Sequence, residues 1–362
     1  MNSLKTKSLG FTLATSLLLT GCALSARDAS VIAAEREAAL AAAQLMPDPT
    51  RYSSQTFEWR DEKRNRVVPV RLYLPTAEPN GGVGNMPLIV FSHGIGGSRE
   101  GYKYLGRSFA ANGYASLHLQ HVGSDRQLWT GNPFSLLSRL SGAAQDTEAI
   151  DRVQDLSFAI DQILASPFGA RVDRSRIVAA GHSYGANTSM LAAGAVVERD
   201  GRKIALRDPR IGAAILLSAP PFYGAGDPKA ILGEINIPTL HITATEDDIA
   251  IPGYRSGVAD RLAVYRAMGA ASSSSNRASK TLAVFSGGSH SIFTDRLGTG
   301  GIELNPKVKA ATRDLTLAFL QTLAAPDRPG AHNKTGNDRS LTSWRQQYAP
   351  LLASFEQVGV GN

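Results

Sequence analysis

The chain of 362 residues predicts an α/β fold: a mostly parallel, doubly wound sheet with helices on both faces. Three observations carry this. Short continuous apolar runs at 87–91 and 211–217 have the composition of strands buried on both faces. They alternate with stretches of helical period, notably 146–164, where Ile150, Val153, Leu156, Ile160, Ile163 and Leu164 line one face. Residues 176–185 read as strand, sharp turn and helix, with Ser183 at the tip of Gly181-His182-Ser183-Tyr184-Gly185. A serine held in such a turn is pushed out of the sheet, and the two glycines remove Cβ atoms that would clash as strand and helix close.

Length allows one large domain or two small ones, and the composition is that of an ordinary globular protein with a sizeable core. The formal charge of +7 includes Lys5 and Lys7; without them +5 remains, spread without basic blocks, so no nucleic-acid partner is expected. The single cysteine, Cys22, excludes an internal disulfide and any zinc-type cysteine spacing. Neither a metal nor a cofactor is expected.

From the N-terminus, Ala-rich residues 30–46 favour a helix that Pro47 and Pro49 stop, read as a spacer. The runs 54–59 and 67–74, separated by a charged turn, predict an antiparallel hairpin at a sheet edge, and 75–85 a loop. The strand at 87–91 ends in Ser92-His93-Gly94-Ile95-Gly96-Gly97, whose glycines let backbone N–H groups approach a ligand. No lysine follows in the spacing of a phosphate-binding loop. A helix at 102–112 and a strand at 114–119 come next, with His118 and His121 expected to be structural. Residues 123–141, with Trp129, Pro133 and Phe134, are expected to be an irregular cover, and 186–197 the helix after the serine turn.

Strands at 211–217 and 238–244 are separated by only 20 residues. The second runs into Thr245-Glu246-Asp247-Asp248, and the last strand, 281–285, into Gly287-Gly288-Ser289-His290. Helices are expected at 260–268 and 307–324, a polar loop at 272–275, a flexible tail at 326–340 and one amphipathic helix within 341–358. The expected organisation is a leader over 1–21, an anchor and spacer over 22–52, a main domain over 53–325 and a tail over 326–362.

Ser183, an acidic residue near 247 and His290 each follow a separate predicted strand. Parallel strands bring their C-terminal ends to one edge, so the three converge there. A serine hydroxyl needs a base to accept its proton, and the base needs a carboxylate to orient it and stabilise its charged form. Of seven histidines only His290 directly follows the last strand, His332 lying in the tail. For the acid, Asp247 has near rivals in Asp248 and Glu246.

The span from about 67 to 320 resembles the α/β-hydrolase superfamily. Phe91–Gly97, Gly181–Gly185 and Gly288-Ser289-His290 look like the branch of platelet-activating-factor acetylhydrolases and predicted dienelactone-hydrolase-like proteins. Thr243-Ala244-Thr245-Glu246-Asp247 is similar to the acid segment of that branch, with Ala244 where glycine is usual, which singles out Asp247. Ser183 stands where true dienelactone hydrolases carry cysteine. The resemblance implies the α/β-hydrolase fold with a small cap in the interval 218–237. It implies an oxyanion hole from the backbone N–H groups of Ile95 and Tyr184. It also implies hydrolysis of small-molecule or lipid carboxylic esters through an acyl-enzyme. The small cap and the aromatic loops around Trp129 and Phe222 suggest short to medium acyl groups. A peptidase or amidase of the same fold, or a non-catalytic envelope lipoprotein, are the alternatives.

Residues 1–22, with Leu19-Thr20-Gly21-Cys22 after an apolar run too short to span a bilayer, resemble a bacterial lipoprotein signal. The resemblance implies cleavage before Cys22, acylation of that cysteine and export to the cell envelope. Ala23, rather than Asp, points to the outer membrane. The rival is an ordinary secretory signal with an incidental cysteine.

Overall fold

The computed structural model describes residues 29–77, 86–222, 224, 226–251, 253–269, 278–323 and 340–359. The leader with Cys22, the loop at 78–85, the polar loop at 272–275 and residues 326–339 lie outside the described residues.

Nine strands form one sheet. In chain order they are β1 (Tyr52–Asp61), β2 (Arg66–Pro75), β3 (Met86–Ser92), β4 (Ala115–Leu119), β5 (Val172–His182), β6 (Ile211–Leu217), β7 (Thr239–Glu246), β8 (Lys280–Ser289) and β9 (Leu352–Val358). Their spatial order is β1-β2-β4-β3-β5-β6-β7-β8-β9. Pairings from β4 across to β8 are parallel, whereas β1 with β2, β2 with β4, and β8 with β9 are antiparallel. The sheet is thus doubly wound and mostly parallel, as predicted, with the expected hairpin at one edge.

The helices are α1 (Ala29–Gln44), α2 (Lys103–Ala111), α3 (Leu136–Ala143), α4 (Asp146–Ala165), α5 (Tyr184–Ala193), α6 (Pro228–Leu232), α7 (Val258–Ala267), α8 (Leu304–Thr322) and α9 (Leu341–Tyr348). Among the described residues, no helix is long and apolar enough to cross a membrane. All seven residues of β3 are buried, which is why its sequence does not alternate. Its side chains still point to opposite faces. Leu88 and Val90 join Val153, Leu156 and Ile160 of α4 and Met190 of α5. Ile89 and Phe91 join Leu105 and Phe109 of α2 and Val308 and Leu315 of α8. Each such burial contributes about 2 kcal/mol, so β3 is pinned from both sides and the loop after it starts from a rigid point.

Three expectations change. The helix expected over 186–197 ends at Ala193, because Gly194 closes it with φ 119°, and the β-branched residues that follow form a short hairpin of 196–199 with 202–205. Within 123–141, expected to be irregular, Asp125 and Asn132 cap two 3₁₀ turns, and α3 begins at Leu136. Residues 341–358 are not one helix. Pro350 lies in the turn after α9, and β9 then pairs with β8. Trp344 holds this segment to the body: it is buried, and its indole N–H donates to Ala311 O at 2.8 Å.

Among the described residues, the helix inserted between β6 and β7 is the five-residue α6. The C-terminal ends of the parallel strands β3, β5, β7 and β8 meet along one edge.

Candidate active site

Ser183 sits between β5 and α5 with φ 55° and ψ −122°. A non-glycine residue at positive φ costs about 1–3 kcal/mol, and the surroundings must enforce it. They do so through close approach. A Cβ on Gly181 would lie 2.2 Å from Gly185 O, and one on Gly185 would lie 1.9 Å from Ser92 O. Ser183 N–H donates to Leu217 O at 2.9 Å, tying the turn to β6.

The structure brings Ser183, His290 and Asp247 together. Ser183 Oγ lies 2.7 Å from His290 Nε2, and His290 Nδ1 lies 2.6 Å from Asp247 Oδ1. Thr243 Oγ1 donates to Asp247 Oδ2 at 2.6 Å, and Arg261 Nη2 stands 3.5 Å from Oδ1. Burial would raise the Asp247 carboxyl. The His290 hydrogen bond and the charges of His290 and Arg261 outweigh it and hold the carboxyl well below its usual range. Asp248 and Glu246 are exposed, whereas Asp247 is fully buried. Of the three acidic candidates, Asp247 is the one on the imidazole.

A second chain of hydrogen bonds supports the first. His182 Nε2–H donates to His290 O at 2.9 Å, so its Nδ1 accepts from the Tyr102 hydroxyl at 2.8 Å. The glycine loop lies against the same ring, since a Cβ on Gly94 would stand 3.3 Å from His182 Nδ1. Burial keeps His182 neutral, with its pKa pushed down to about 3. The serine turn, the His290 loop and the glycine loop are thus joined through one ring.

In the glycine loop, Gly96 N–H donates to Ser124 O at 2.8 Å and Gly97 N–H to Gly94 O at 3.0 Å. Trp129 Nε1–H donates to Gly96 O at 2.9 Å. The Ile95 N–H finds no acceptor among the described residues. Neither does the Tyr184 N–H, which as the first of α5 has no partner within the helix. A Cβ on Gly94 would stand 3.2 Å from Ser183 Cβ, so the loop backbone lies against the serine.

His118 and His121, expected to be structural, are buried and bonded. His118 meets Gly101 O and Ser116 Oγ. His121 Nδ1 lies 3.1 Å from Asp155 Oδ2 and Nε2 lies 3.0 Å from Ser92 Oγ, all three residues being fully buried. Arg64 and Arg66, at the turn of the β1–β2 hairpin, occupy Asp155 Oδ1 at 2.8 and 2.9 Å. Among the described residues no group of three or more His, Cys, Asp or Glu is placed to hold a metal ion.

Sequence reasoning missed Tyr102, Arg261 and Arg152. Glu148, Arg152 and Asp155 recur at helical spacing, a pattern that reads as a solvated stripe, yet all three are buried. His182 lies inside the serine motif, but nothing in the letters says which partners its ring takes.

Residues 62–128 match the family model of platelet-activating factor acetylhydrolase, isoform II. That span runs from the hairpin turn through the glycine loop to Leu128. No curated protein matches the chain. Among solved structures, the ferulic acid esterase from Streptomyces cinnamoneus is similar with a TM-score of 0.51 at 19% identity, covering 78% of this chain and 95% of that one. At that identity the likeness is one of fold, and the fold of this chain is that of the α/β-hydrolases.

Proposed function

We propose that the protein is a serine hydrolase that cleaves carboxylic esters through an acyl-enzyme, with Ser183 as nucleophile, His290 as base and Asp247 as acid. One observation carries the reading: a strained serine whose Oγ lies 2.7 Å from an imidazole that is itself 2.6 Å from a buried carboxylate. The family match over 62–128 and the likeness to a ferulic acid esterase support an ester as the bond attacked.

In this mechanism Ser183 Oγ attacks the ester carbonyl carbon as its proton passes to His290 Nε2. The carbonyl oxygen becomes an oxyanion and accepts hydrogen bonds from the Ile95 and Tyr184 N–H groups, which no other group competes for. Collapse breaks the bond to the alcohol oxygen, which takes the proton from His290 Nε2 and leaves. Water then gives its proton to His290 and its oxygen to the acyl carbon. The second collapse returns the proton to Ser183 Oγ and releases the acid. Asp247 stays ionised throughout and stabilises the imidazolium.

The small insertion between β6 and β7, with the five-residue α6 as its helix, favours short to medium acyl groups. Trp129, 52% exposed and bonded to the glycine loop, is placed to contact the substrate. Ser183→Ala should fold and lose both p-nitrophenyl ester turnover and labelling by a fluorophosphonate. Undiminished labelling of that variant would place the nucleophile elsewhere. A chain-length series of p-nitrophenyl esters, with the matching anilides, separates an esterase from an amidase.

We also propose that Cys22 carries the lipid anchor of an exported envelope protein. Acyl chains hold a protein on a membrane at about 0.8 kcal/mol per buried CH₂. Metabolic labelling with a fatty-acid analogue should mark the wild type in the membrane fraction and leave Cys22→Ser unmarked. Unlabelled, wholly soluble wild type would leave ordinary secretion.

A further inference from the structure

Arg152 projects from α4 into the interior beneath the glycine loop, and its side chain is 0% exposed. All three of its hydrogen bonds go to uncharged acceptors: Nη2–H to His93 O at 2.5 Å, Nη1–H to Ser124 Oγ at 2.7 Å and Nε–H to Thr188 Oγ1 at 2.9 Å. The nearest acid in this network, Glu148, is one step removed, accepting the Ser124 hydroxyl at 2.6 Å. Taking a guanidinium out of water for neutral partners is costly, and an apolar side chain of similar volume would fill the space without that cost. The groups that the cation touches account for its presence.

His93 O belongs to the peptide just before Gly94, and the next peptide carries the Ile95 N–H. Ser124, bonded by Nη1, takes the Gly96 N–H on its carbonyl. On the other side, the guanidinium carbon lies 4.4 Å from the centroid of the Tyr184 ring, and Tyr184 carries the second free N–H. Thr188 sits one turn along α5 and returns its hydroxyl to Tyr184 O at 3.1 Å. One planar group therefore bonds both elements that carry the two unassigned N–H donors. Lysine could not replace it, because a single ammonium cannot reach acceptors spread around a rigid fork.

We propose that Arg152 is a positioning residue for ester hydrolysis, clamping the 93–97 loop to the start of α5 so that the Ile95 and Tyr184 N–H groups converge on one oxyanion. This rests on the ester-hydrolase reading above. Arg152 does not touch the substrate; it acts through His93, Ser124, Thr188 and Tyr184. A misplacement of about 1 Å between the donors would cost about 10²-fold in turnover.

The test compares wild type, R152M and R152K on p-nitrophenyl butyrate, with folding checked by circular dichroism. R152M should lose about 10²-fold in kcat with KM changed by less than about threefold, and R152K should fall between it and wild type. A trifluoromethyl ketone, which forms an anionic tetrahedral adduct, should weaken in parallel with kcat/KM, whereas the matched secondary alcohol, which forms none, should bind unchanged. Wild type that neither hydrolyses esters nor reacts with a fluorophosphonate overturns the ester-hydrolase reading and the clamp with it. Active wild type beside a folded R152M with kcat within about threefold overturns the clamp alone. So does a loss of alcohol affinity equal to that of the ketone. Where R152M does not fold, R152K decides by the same criteria.

Discussion

Replacing Asp247 by Asn removes one negative charge and leaves the side-chain shape nearly unchanged. Oδ1 faces two donors, His290 Nδ1 at 2.6 Å and Arg261 Nη2 at 3.5 Å, whereas Oδ2 faces only the Thr243 hydroxyl at 2.6 Å. The amide should therefore set its oxygen toward His290 and its NH₂ toward Thr243, whose hydroxyl can accept as well as donate. The imidazole keeps its tautomer, so the charge alone is lost. Two unit charges about 4 Å apart at an effective dielectric of about 20 interact by about 4 kcal/mol. At about 1.4 kcal/mol per decade, kcat should fall by about 10³. Arg261, nearly fully buried, also loses its carboxylate, so a destabilisation of about 3 kcal/mol is expected in urea unfolding. Turnover of p-nitrophenyl butyrate is to be read where the variant is still folded. Asp248→Asn is the control, since that carboxylate is exposed. A folded Asp247→Asn enzyme that keeps more than about a tenth of kcat refutes the reasoning, as does a larger loss in Asp248→Asn.

Gly185→Ala would place a methyl carbon 1.9 Å from Ser92 O and 2.8 Å from His93 O, both backbone atoms that cannot swing aside. It should cost at least about 2 kcal/mol in urea unfolding and most of the activity, and a variant of wild-type stability would contradict the packing described. Stability should also fall in mild acid. Burial pushes His118 and His182 down to about 3, and burial with the charge of Lys280 does the same to His241. The unfolded chain takes up protons near pH 6.5 that these rings refuse in the fold, so stability drops as pH falls from about 6.5 toward 3. The slope is up to about 1.4 kcal/mol per pH unit for each ring. Urea midpoints between pH 7.5 and 5 should decline, and a constant or rising midpoint would show that these rings are not held neutral.

The parallel strands were legible because burial on both faces writes continuous apolar runs, as in Leu88–Phe91 and Ile211–Leu217. The serine turn was legible because its backbone demands glycine at 181 and 185. β9 was not: Leu352 to Val358 mixes apolar and polar residues without clean alternation and is mostly exposed, and it makes sense as a strand only once β8 lies beside it. The choice between Asp247 and Asp248 could be made only by resemblance. Geometry separates them through the turn in which Asp247 N–H meets Ala244 O at 3.2 Å and its carboxylate points inward. Arg152 and Arg261 were illegible for a common reason. A charged residue on a helix reads as solvent-facing unless the groups folded over it, here residues 93, 124 and 188 or 247 and 256, are already known.

The buried trio of Ser92, His121 and Asp155 repeats the atom contacts of Ser183, His290 and Asp247 with distances of 3.0 and 3.1 Å. A template of three atoms would retrieve both, yet only the Ser183 trio has the surroundings the proposed mechanism needs. Ser92 lies in a regular strand, no water can reach it, and Asp155 is already shared with two arginines. Ser183 stands at a strained turn at the end of β5 and is 7% exposed, with two backbone donors nearby whose bonding capacity is unspent. What separates the trio proposed as catalytic from the buried one is therefore incompleteness. For recognising such sites in other chains, the useful query is which hydrogen-bonding groups around a serine have been left without a partner, rather than whether three residues touch.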